Sequence, residues 1–175
     1  FLNYTAYTLS YTLSLHDALP ISTTVNTGKP EPVTGLQSII DAYSKGKDKT
    51  PIAFRFIGKV SLSDLDHTSS SAEGLQIKGA EMNMTFEGVG DDATVYGFGF
   101  LLREAVSVEF RNFAIMRCLD DAMSLDTDNS HVWIHNMDLF KGKMGGKNEQ
   151  KKKNKTKKNK TKTKKKKKTN NGPRS

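Results

Sequence analysis

The chain has 175 residues and a formal net charge of +8, but the charge is divided. Residues 141–175 hold 17 of the 27 basic side chains and one of the 19 acids, so the chain up to Phe140 is acidic and the rest strongly basic. The one cysteine, Cys118, excludes an intrachain disulfide and any Cys-based metal site, and no apolar run of about 18 residues exists to make a transmembrane helix.

Residues 1–22 have no basic n-region, and Asp17 and Pro20 break the apolar run, so they do not form a signal peptide. Tyr11 to Ile21 match, residue for residue, the translation of a widely used sequencing-adapter DNA. The segment is therefore expected to be foreign to the fold and disordered. Residues 23–34, rich in Thr, Pro and Gly, read as a loop. GLQSIIDAYSKG then sets Leu36, Ile39, Ile40 and Tyr43 on one helical face. Thr34 with Gln37 matches a capping box, and Gly46 suits the position after the C-cap. Ile52, Phe54 and Phe56 alternate as a first strand that bends at Gly58, and a polar loop follows.

From Gly74 onward the chain repeats at one fixed step, the interval from Phe110 to Ile134. Ile134 steps back to Phe110 and Phe86, and Val132 to Val108 and Met84. Asn136 steps back to Asn112 and Gly88, and Met137 to Phe113 and Val89. A preceding segment obeys the same step, with Leu125, Leu101 and Ile77, and Met123, Gly99 and Leu75. Short alternating segments bounded by turn residues are strands. The same side-chain class recurring at one period is the mark of stacked coils rather than of a meander. The expected fold is all-β, a right-handed parallel β-helix of about three coils, with the amphipathic helix capping its open end. Asn112 and Asn136 would stack as an asparagine ladder. The assignment is 23–140 for this region and 141–175 for a disordered Lys/Asn/Thr tail. That tail is either a polybasic arm that binds nucleic acid non-specifically or the translation of an A-rich read.

Chemistry-bearing residues are few. Asp120, Asp121, Asp126 and Asp128 cluster within nine residues, either as oxygen ligands for a hard cation such as Ca2+ or as a solvated turn. Asp91 and Asp92 follow Gly88-Val89-Gly90 at a coil corner. His131 and His135 share a strand face too far apart to form a zinc site alone. GFGF at 97–100 reads as a tight turn plus strand. Arg103, Arg111 and Arg117 read as isolated, outward-facing side chains.

The segments FRFIG (54–58), EGVGDDA (87–93), VEFRN (108–112) and DAMSLDTDNSHVWIHN (121–136) occur in order. Together they resemble the polysaccharide lyase family 1 pectate lyases over residues 33–146. The resemblance implies a secreted, monomeric enzyme that cleaves pectate (polygalacturonate) by Ca2+-dependent β-elimination, with no membrane association. It implies that Asp121, with Asp120 beside it, is a calcium ligand. The family's remaining calcium carboxylates and its catalytic arginine have no counterpart here, so no catalytic residue is assigned and the chain is expected to be an inactive N-terminal fragment. The alternatives are a non-catalytic β-helix that binds polysaccharide and a polygalacturonase-like hydrolase.

Overall fold

Two consecutive steps of the repeat align Met84, Val108 and Val132 as paired residues on neighbouring parallel strands. The computed structural model describes residues 11–15 (backbone), 21–68 and 74–140. The 141–175 tail and most of the 1–22 segment lie outside the described residues.

The strands are β1 (Tyr11–Leu15), β2 (Ser22–Asn26), β3 (Pro30–Thr34), β4 (Ile52–Ser61), β5 (Leu75–Lys78) and β6 (Met84–Tyr96). They continue as β7 (Phe100–Arg103), β8 (Val106–Arg111), β9 (Ala114–Met116), β10 (Met123–Asp126), β11 (Ser130–His135) and β12 (Asp138–Leu139). One helix, α1 (Leu36–Ser44), lies between β3 and β4. The large sheet runs β1-β4-β6-β8-β11, with β9 joining β6 and β12 joining β9, and a second sheet runs β10-β7-β5. Every pairing in both is parallel. The fold is mostly β, in curled parallel sheets.

Alternation drives this packing. Phe54, Phe86 and Phe110 face inward, and their rings stack at 5.0 and 4.9 Å. Phe100 meets Phe86 and Phe110 edge-on at 5.4 and 5.1 Å. Each such pair contributes about 1 kcal/mol beyond the area it buries. The asparagine ladder forms: Asn112 and Asn136 both adopt left-handed backbone, and Asn136 Nδ2 donates to Asn112 Oδ1 at 3.3 Å.

Helix α1 buries Leu36, Ile39, Ile40 and Tyr43, as its spacing requires. Gly46 follows the C-cap at φ 71° and donates to the Tyr43 carbonyl. The capping box does not form. Gly35 is the N-cap, and the cap comes from Asp66, far along the chain on the other side of β4. Its carboxylate accepts from the backbone of Gln37 at 3.0 Å and of Ser38 at 3.1 Å. Gln37 is instead buried, with its amide paired to the backbone of Gln76 on β5.

Four further expectations change. Residues 23–34 are no loop. β2 and β3 form an antiparallel hairpin, because alternating Thr and Val outweigh two prolines in an outer strand. Tyr11–Leu15, expected to be disordered, is a strand paired in parallel with β4, since YTLSL alternates in the β manner whatever its origin. The first-strand ladder is Leu75–Phe100–Met123 and Ile77–Leu102–Leu125, so its middle strand sits one position off the strict repeat. Slipping one residue turns Phe100 into the core, where it is 2% exposed. Val89, which the repeat sets in file with buried Phe113, is exposed. β9 pairs with Thr94–Tyr96 beyond a bulge, so the chain position above Phe113 belongs to Ala93.

Candidate functional site

Asp121 lies just ahead of β10, where the chain enters the smaller sheet. Its backbone closes on Gly99. A Cβ at Gly99 would collide with the carbonyl oxygen of Asp121 and lie 2.8 Å from that of Ala122. Gly99 is therefore a close-approach glycine that sets the position of the Asp121 turn. Ser124 Oγ donates to Asp121 Oδ2 at 3.2 Å. Asp121 and Asp120 are both exposed, and both lie near buried Cys118. Burial pushes that thiol up, and the negative charges of Asp121 and Asp120 push it further.

The structure does not bring the other sequence candidates to these two. Asp126 takes an ion pair from Arg103 Nε at 2.9 Å, and Asp128 occupies a left-handed turn position. Asp91 and Asp92 sit in the exposed bulge of β6. Among the described residues no three His, Cys, Asp or Glu side chains converge to hold a metal. Ca2+ takes six to eight oxygens, so Asp120 and Asp121 do not form a site for it by themselves.

The outer face of the smaller sheet also carries a charged ladder, Lys78–Arg103–Asp126, one residue per strand. Lys78 pairs loosely with Glu104 at 3.9 Å.

The larger sheet carries a denser ladder that the sequence reading missed. Arg55, Glu87, Arg111 and His135 are register partners across four strands. Glu87 accepts from Arg55 Nε and from Arg111 Nη2, each at 3.1 Å. Glu109 accepts from Arg111 Nη1 at 3.3 Å and faces His135 Nε2 at 3.0 Å. Arg111 is thus neither isolated nor freely solvated, and its buried Nε has no hydrogen-bond partner among the described residues. Opposite charges at positions 87 and 111, one period apart, were the available signal. His131 and His135 serve different ends: His135 joins this network, whereas His131 lines a groove beside Trp133.

No protein-family model matches the chain, and no curated protein matches it. One solved structure, that of the thermostable pectate lyase PL 47, is similar over 62% of this chain at 16% identity and a TM-score of 0.46. The chain covers 42% of that protein's length. Among the described residues no helix is long and apolar enough to cross a membrane.

Proposed function

We propose that this chain carries N-terminal coils of a pectate lyase of polysaccharide lyase family 1: a right-handed parallel β-helix, here about three coils deep, of a secreted and monomeric enzyme. The supporting observation is register. The four family-like segments, scattered along the sequence, lie one above another, with Arg55, Glu87, Arg111 and His135 in a single file. The proposed substrate is polygalacturonate and the proposed reaction is β-elimination. Asp121, with Asp120 beside it, is the proposed contribution to a Ca2+ site, and the remaining oxygens would have to come from residues other than those described. No base for the C5 proton is assigned to any residue of this chain.

A binding module for anionic polysaccharide is the second reading. Lys78 and Arg103, adjacent in register on the smaller sheet, favour it: Glu104 holds Lys78 only loosely at 3.9 Å, so a carboxylate of an acidic chain would compete for it beside the Arg103–Asp126 pair.

The test is an ultraviolet assay for unsaturated uronides on polygalacturonate, using protein extended with the coils that the family places after residue 140. The expected result is product that requires Ca2+, is abolished by chelator and is strongly reduced by Asp121→Ala. Reducing sugar released without unsaturation would establish a hydrolase instead. Retention on polygalacturonate without any product would establish the binding module.

A further inference from the structure

A groove of about 390 Å3 crosses the outer face of the larger sheet, away from Asp121. Its walls are two files of residues, with buried Met84 and Val108 between them. One file is Asn83, Ser107 and His131, each one period from the next, with Pro51 at its end. The other is Thr85, Glu109 and Trp133, which are register partners on β6, β8 and β11. All three of Asn83, Ser107 and His131 adopt left-handed backbone, at φ 49°, 63° and 52°. The pairing of β11 with β8 passes from Ser130–Val106 to Val132–Val108 without pairing His131 to Ser107. The same irregularity thus recurs at each level, and it lines one side of the groove continuously.

The chemistry of the lining is specific. Trp133, 57% exposed, is the largest exposed apolar side chain at the groove, and its indole is held at 5.0 Å from the His135 ring. An aromatic face carries negative quadrupole density and attracts C–H groups that bear partial positive charge. Around it stand hydroxyls, a side-chain amide, an imidazole and a carboxylate, a mixture of donors and acceptors. Formal charge at the face is balanced. Arg55 and Arg111 are matched by Glu87 and Glu109 through the ion pairs already described, leaving no surplus cation for phosphate or uronate. The groove runs from Pro51, just ahead of β4, across β6, β8 and β11. At the usual strand separation this is about 14 Å, the reach of a short oligosaccharide.

We propose that this groove is a binding subsite for a neutral, hydroxyl-rich oligosaccharide, whose sugar ring stacks on Trp133 while Thr85, Glu109, Ser107 and His131 bond its hydroxyls. The subsite is separate from the Asp121 face and does not depend on the lyase reading, since binding here needs neither Ca2+ nor bond cleavage.

Trp133 is the single tryptophan of the chain, so its fluorescence reports on this groove alone. The experiment titrates the full chain with cellotetraose and, separately, with tetragalacturonate, each at low and high salt. The expected result is a saturable emission change with cellotetraose that salt does not alter. By calorimetry, Trp133→Ala should bind about tenfold more weakly, with Trp133→Phe between the two. His131→Ala should also weaken binding while leaving the far-ultraviolet circular dichroism unchanged. Wild-type chain with a native spectrum and no saturable response to cellotetraose would overturn the proposal. A response to tetragalacturonate alone that salt abolishes would also overturn it, since that would mark an anion site.

Discussion

The side-chain amide of Gln37 pairs with the backbone of Gln76 as a neighbouring strand would. Gln37 Nε2 donates to the Gln76 carbonyl at 2.9 Å, and the Gln76 amide donates to Gln37 Oε1 at 2.9 Å. β5 is the outermost strand of the smaller sheet, and an outermost strand leaves backbone groups unpaired. The helix therefore closes the sheet chemically as well as covering it. Gln37→Ala should remove both bonds to the part-buried backbone of Gln76. The expected loss is about 1–3 kcal/mol in urea unfolding, with little change in the denaturant slope.

Asp66 should make the docking of α1 acid-sensitive. Burial, the largest single influence, pushes its carboxyl up. The bonds from Ser38 Oγ, the Gln37 and Ser38 amides and His67 together outweigh that and hold it below the ordinary 3.8. A carboxyl lowered by folding contributes stability that is fully present above its unfolded value and lost as pH falls through the folded one. Unfolding midpoints should therefore hold steady as pH falls toward 4 and drop below it. In Asp66→Ala the drop should be shallower, with about 1 kcal/mol already lost at neutral pH from the missing cap.

Phe86 is the middle ring of the aromatic stack, fully buried and in contact with Phe54, Phe100 and Phe110. Phe86→Ala should cost about 3–5 kcal/mol, measured by denaturant unfolding. Phe86→Leu should cost distinctly less, because it leaves a smaller cavity.

Gly99 tests the link between packing and the acidic turn. Gly99→Ala puts a methyl group against the Asp121 and Ala122 carbonyls, which are backbone and cannot rotate away. The variant should lose stability by about 1–3 kcal/mol. Amide chemical shifts at Asp121 and Ala122 should move more than those at distant Gln37.

Much of the fold is legible in the sequence because strands from Met84 to His135 recur at one fixed step. The inward file Phe86–Phe110–Ile134 and the Asn112–Asn136 ladder follow directly from it. What was not legible had local causes. Phe100, Leu101 and Leu102 are consecutive apolar residues, so periodicity cannot choose which face is buried, and ring packing decides. The step from Ile52 to Met84 is longer than the repeat, because a polar loop intervenes, and this hides Arg55 as the partner of Glu87. Asp66 caps a helix that lies well before it in the chain, a contact no local pattern encodes. For the site, the turn that places Asp121 over Gly99 was visible only as a glycine-rich stretch. The Arg55–Glu87–Arg111–Glu109 network needed the register before its charges could be matched.

The most direct test of the account is whether residues one period apart are neighbours across parallel strands. In a Cys118→Ser background, Thr85→Cys with Glu109→Cys places thiols on register partners of β6 and β8. Strand neighbours lie about 4.8 Å apart, and a disulfide needs Cα atoms within about 7 Å. Mild oxidation should link this pair within one monomer, whereas Thr85→Cys with Arg111→Cys, two residues out of register, should stay reduced. Failure of the first pair to link, or equal linking of both, would contradict the parallel-strand register on which the fold and both proposed sites rest.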